Sequence, residues 1–205
     1  FIAFFILASW SFNQFSGFAV KEVDNLLLEK YKLELRSATE IAVTLISNIN
    51  QNQSLSDEQK LKLARNMVRP LRFGQDNKGY FFVYEKKTGQ NMIHGDKTEL
   101  EGKNLWNLKQ EGSDQLIIQE LDKVAEQNKL FLKYNWTEPN SDKVSQKLGT
   151  AMTVPNTNFW VGTGEYLNDI QKDKDRINAE IANVKTKLQL VTIPIIIVLT
   201  LITIV

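Results

Sequence analysis

The chain has 205 residues, with 25 basic and 24 acidic side chains for a net charge of +1, one histidine and no cysteine. A charge balance with no concentrated basic face excludes nucleic acid as a partner. The missing thiols exclude disulfides, thiolate metal sites and a cysteine nucleophile.

Residues 1–20, Phe1 to Val20, carry no charge and are rich in Phe, Ile, Leu and Ala. At about 1.5 Å per residue they are long enough to cross a bilayer core. They lack the basic start and small-residue cleavage pattern of a signal peptide, so they read as an anchor. Residues 190–205 form a second apolar run, the start of another membrane helix. Two anchors in a lipid bilayer place residues 21–189 together on one side, and the flanking charges do not say which.

Residues 24–51 contain neither Gly nor Pro, and Leu28, Tyr31, Leu35, Ala38, Ala42, Leu45 and Ile49 recur at alternating steps of three and four. Such a seam fits a helix packed on its own sheet and also a helix paired with a second copy. At about 42 Å the helix is longer than a small domain is wide, which favours a homodimeric stalk. Ser56 followed by Gln59 is a capping box, opening a second helix that ends near Arg69 ahead of Pro70. Arg72 follows, placed to reach over a sheet.

The most distinctive stretch runs from Gly79 to Trp106. Tyr80, Phe82 and Tyr84 alternate with Phe81 and Val83, so both faces of this strand are apolar and it belongs inside a sheet. Gly89 turns the chain into a return strand, Gln90 to His94, and the charged loop from Gly95 to Trp106 reads as a lid. Ser113 caps a helix carrying Leu116, Ile117, Leu121, Val124 and Ala125 on one stripe. Strands Leu130–Trp136, Val144–Val154 and Phe159–Tyr166 follow. Gly162 and Gly164 leave space on one face of the last. The five strands, taken in hairpin order, make one antiparallel sheet in an α+β fold. Glu165 stands in this apolar strand without an evident role. Residues 168–189 return to helix and run on into the second anchor.

Arg72, GYFFVYE, the His94 turn, LEGKNLW and FWVGTGEYLNDI, in that order, closely resemble the type-2 single Cache sensor domains of bacterial chemoreceptors and sensor histidine kinases. The resemblance implies a PAS-like fold and a periplasmic or extracellular sensor in the cell membrane. It implies small carboxylates as ligands and a cytoplasmic output module reached through the C-terminal helix. It implies a pocket formed by Arg72, Tyr80, His94, Trp106 and Lys147. Two departures from the family pattern stand out: His94-Gly95-Asp96-Lys97-Thr98 implies a more flexible loop, and Thr150, where an aromatic is usual, implies a larger or different ligand.

The residues themselves allow matching roles. Arg72 can grip a carboxylate with two parallel bonds, or pair with Asp76 at the surface. Lys147 stands in an otherwise uncharged run, which fits a buried head group, or it points to solvent as lysines on strands most often do. His94 can donate to a ligand oxygen, Tyr80 and Tyr166 can offer hydroxyls, and Trp106 can close the apolar side. With a lone histidine and no phosphate loop or dinucleotide fingerprint, no catalytic constellation, metal or cofactor is expected. The competing expectation is a membrane-tethered dimerisation module that senses through a periplasmic partner protein.

Overall fold

The computed structural model describes residues 2–110, 112–127 and 131–202, without the side chains of 2–9, 75 and 200. Phe1 of the predicted first anchor, Leu130 of the predicted third strand and 203–205 of the second anchor lie outside the described residues. Two compact units result, one formed by residues 30–169 and the other by 1–29 with 170–205.

The described chain has four α-helices, five strands and two short 3-10 helices (Gln75–Asn77 and Thr98–Leu100); the α-helices and strands are α1 (Ile2–Gln51), α2 (Asp57–Val68), β1 (Phe82–Glu85), β2 (Asn91–His94), α3 (Ile117–Gln127), β3 (Leu132–Thr137), β4 (Val144–Thr153), β5 (Phe159–Tyr166) and α4 (Leu167–Ile202). The capping box of α2 forms as expected: Ser56 Oγ accepts from the Gln59 N–H while Gln59 Oε1 accepts from the Ser56 N–H. The start of α3 differs. The helix begins at Ile117, and Ser113 Oγ accepts from the Gln115 N–H within the turn before it.

The strands form one antiparallel sheet in the order β2-β1-β5-β4-β3. Simple hairpin succession would have put β2 beside β3. Instead α3 carries the chain across the sheet, and β1 pairs with β5 through Phe82–Gly162 and Tyr84–Trp160. β1 is thus interior, as its two apolar faces require.

Each face of β1 meets its own helical layer. Phe81 and Val83, with Ile93 and Val161, pack against Ala42, Ile46 and Ile49 of α1 and Ala64 and Val68 of α2. Tyr80, Phe82 and Tyr84, with Tyr134 and Trp160, pack against Ile117, Ile118, Leu121, Val124 and Ala125 of α3. Burying each Val, Leu or Ile side chain among these contributes roughly 1.5–3 kcal/mol. The seam of α1 is therefore spent inside the fold: Tyr31, Leu35, Ala42 and Ile49 are buried. Leu33 and Ile41 lie on another stripe and stay 64% and 67% exposed.

In the other unit, Lys174 pairs with Asp24 at 3.4 Å and Lys185 Nζ donates to Asn13 Oδ1 at 2.7 Å. Among the described residues one helix is long and apolar enough to cross a membrane, Leu167–Leu199.

Candidate ligand-binding site

Three glycines shape the α3 face of the sheet. A Cβ on Gly162 would collide with the Phe82 ring, one on Gly149 would come within 2.7 Å of Tyr134 Cε1, and one on Gly164 within 2.9 Å of Lys147 Cε. The bare backbone of β5 thus lets the Lys147 stem lie across the sheet toward β1. Lys147 Nζ ends 3.8 Å from the Tyr80 ring centroid and 4.9 Å from that of Tyr166.

Lys147 is fully buried, and its Nζ has no hydrogen-bond partner. Burial pushes its pKa down to about 7, against the pull of the Glu165 and Asp96 carboxylates. The aromatic faces offset only part of the lost hydration, because a cation over a ring gains a few kcal/mol at most. An unpaired buried donor of this kind is costly to maintain without an acceptor.

His94 lies beside this lysine, its ring 5.3 Å from Tyr80 and 6.2 Å from Phe82. Its Nδ1 accepts from the backbone N–H groups of Asp96 and Lys97, at 3.3 and 2.8 Å. In the neutral ring that assignment leaves the proton on Nε2. Burial, with Lys147 and Lys97 adding repulsion, pushes His94 down to about 3, so it is a neutral donor at ordinary pH.

The tyrosines are already engaged. The Tyr80 hydroxyl hydrogen-bonds that of Tyr166, and Tyr166 in turn donates to the Thr137 carbonyl at 2.6 Å. Tyr166 is the last residue of β5, and α4 begins at the next position.

The remaining predicted residues sit apart from this group. Arg72 is largely exposed and donates to the carbonyls of Arg69, Leu71 and Gly95, tying the segment after α2 to the loop after His94. Among the described residues Arg72 makes no ion pair with Asp76. Trp106 packs beside Gly89, whose φ of +70° and closeness to the Trp106 backbone, 2.7 Å from a built Cβ, leave no room for a side chain. The tryptophan stacked on His94 is Trp136, at 6.1 Å and 22°. Thr150 pairs with Thr163 in a register that turns both away from the face shared by Lys147, Gly149 and Gly164. Its side chain therefore does not set the size of this pocket.

Glu101 is a site residue that the sequence reading missed. Its carboxylate accepts from Arg69 at 2.6 and 3.0 Å and from the His94 N–H at 3.0 Å, with Arg65 at 3.4 Å. This bolts the loop from Gly95 to Trp106 against α2. The only sequence signal was an acid in LEGKNLW two helical arginines away in space, which the chain order does not display.

A buried, unpartnered cation and a neutral imidazole thus lie among aromatic rings between a PAS-like sheet and one helix. Residues 19–193 match the Cache domain family, and the chain belongs to it. Cache domains are ligand-binding modules of membrane chemoreceptors and sensor kinases, and catalysis in those receptors resides in other domains. The chain is 26% identical over 178 residues to the sensor histidine kinase MctS of Rhizobium johnstonii, covering 86% of this chain and 38% of that protein. It thus spans well under half of that relative. A methyl-accepting chemotaxis protein from Vibrio parahaemolyticus superposes with a TM-score of 0.64 at 29% identity, covering 74% of this chain and 99% of the other. A Cache chemosensory domain described for its carboxylic acid recognition shares the fold, with a TM-score of 0.59 at 17% identity over 72% of this chain and 97% of its own.

Proposed function

We propose that this chain is the extracytoplasmic sensor of a bacterial cell-membrane receptor that binds a small carboxylate at Lys147 and signals through α4 to a cytoplasmic output module. The observation that carries the reading is the Lys147 ammonium, buried without an acceptor. A carboxylate oxygen would supply that acceptor, and His94 Nε2–H and the Tyr80 hydroxyl are the neutral donors beside it. Arg72 acts from outside, by holding the Gly95 carbonyl and with it the loop that roofs the site.

Recruiting Tyr80 to the ligand would break its bond to Tyr166 and free the end of β5. Because α4 starts at Leu167 with no intervening loop, a displacement of about 1 to 2 Å there enters the helix directly. In this reading the receptor is a homodimer paired through the exposed Leu33 and Ile41 of α1, and two helices anchor it in the bilayer.

The test is isothermal titration of the full chain in lipid nanodiscs with acetate, propionate, lactate and pyruvate, beside neutral amides and amines. Saturable binding of an acid, absent in Lys147→Met, is the expected result. A folded protein that takes none of them would shift the assignment to a module that senses through a partner protein.

A further inference from the structure

The chamber beside His94 and the surface next to it share a wall. Between α3 and the sheet, Phe82, His94, Ile117, Tyr134 and Trp136 enclose only about 10 Å³, no more than a single water needs. Outside it, Leu100, Leu105, Leu108 and Val144, with Lys97 at the rim, line a groove of about 290 Å³. Ile117 and Trp136 border both spaces.

Of these two, Trp136 is the side chain built to yield. It stands on β3, an edge strand, is only partly buried, and meets its neighbours by ring contacts, His94 on one side and Tyr134 edge-on at 6.2 Å. Its indole Nε1 is buried with no acceptor, so moving the ring forfeits no hydrogen bond. Ile117, by contrast, is 3% exposed and opens α3 within the main core.

We infer that Trp136 is the partition between the small space beside His94, which neighbours the Lys147 head-group position, and the outer groove, and that the site takes monocarboxylates whose apolar tail passes Trp136 into that groove. This rests on the carboxylate reading above. With the head group held at Lys147, the space beside His94 has no room for a chain of several carbons, and the groove beyond Trp136, mostly apolar but edged by Lys109, Gln110, Asn135 and Thr137, does. The positive rim at Lys97 favours an anion on its way in. Trp136 is then the residue that sets ligand length, a role separate from the charge recognition by Lys147.

Titration of the full chain in nanodiscs with straight-chain acids from acetate to hexanoate tests this. Affinity should rise with length, by up to roughly fourfold for each methylene that leaves water. Val144→Glu, at a position already 53% exposed, should cancel that rise while leaving acetate binding within twofold. Trp136→Phe should increase the hexanoate-to-acetate affinity ratio at least threefold, with thermal unfolding confirming the fold. Affinity that falls beyond propionate, or a length dependence that both variants leave untouched, would overturn the inference while the Lys147 site stands. If no acid of any length binds, the carboxylate reading fails and this inference falls with it.

Discussion

Lys147→Met replaces a fully buried ammonium that donates to nothing with an apolar side chain of similar length. Removing a desolvated charge in this way stabilises a protein by about 1 to 3 kcal/mol. At roughly 2–4 °C per kcal/mol for a domain of this size, thermal unfolding should show a clear rise in midpoint together with loss of anion binding. A variant that loses stability would mean that the ammonium has a partner in solution. Lysine at this position was legible in the sequence as a charge in an uncharged run. Its neighbours were less so. Trp106 and Trp136 both lie in apolar surroundings along the chain, and choosing between them requires knowing that α3 brings β3 next to His94. Thr150 misled for a related reason, because strand alternation turns it to the far face as soon as Lys147 is assigned to the near one.

Between residues and fold stands the loop from Gly95 to Trp106, which reads as a charged lid in sequence and is tied down chiefly by one carboxylate, with Arg72 holding the Gly95 carbonyl. Glu101→Gln removes the charge that joins Arg65, Arg69 and the His94 N–H. The expected cost is about 2 kcal/mol, and amide exchange should speed up through residues 96–105 while α3 and the sheet interior keep their protection. Unchanged exchange in the loop would show that Arg72 and its carbonyl contacts suffice to hold it. The elements themselves were largely readable: the two-faced strand at GYFFVY, the capping box of α2 and the glycines of β5 each follow from local chemistry. The order of strands was not, since pairing β1 with β5 depends on contacts between residues about 80 positions apart. The seam of α1 was visible, but its packing against the chain's own sheet became clear only with the opposing layer in place.

For the whole molecule, buried titratable groups set a pH profile of stability. Hydrogen bonds, first from Ser145 and then from Lys143 and Asn168, hold Glu138 down at about 2, so its stabilisation is present above the usual carboxylate range and is lost as pH falls toward 2. His94, lowered to about 3, adds to the same loss, because below about 6.5 the unfolded chain takes up a proton that the folded one resists. Glu165 acts in the opposite sense. Burial raises it to about 7, so folding is favoured below 4.5 and the advantage fades as pH rises to 7. Lys147, lowered to about 7, makes stability climb from there toward its ordinary value of 10.5. Thermal unfolding of the full chain in nanodiscs should therefore show a steep acid limb below pH 4.5, little change from 4.5 to 7 and a gentle rise above. In Glu165→Gln the middle region should slope upward with pH; a flat middle in that variant would remove Glu165 from the balance.

The central claim is that a ligand anion pairs with Lys147, and proton linkage reads that pairing most directly. At pH 8 a lysine of pKa about 7 is mostly neutral in the empty site, and an anion against Nζ would restore its charge. Calorimetric titration of the full chain with the bound acid, in buffers of different ionisation heat, should record an uptake of roughly 0.9 proton per ligand at pH 8, falling toward zero by pH 6, below which the acid's own carboxyl begins to release protons on binding. Binding at pH 8 with no proton taken up, or with the same uptake in Lys147→Met, would contradict the account.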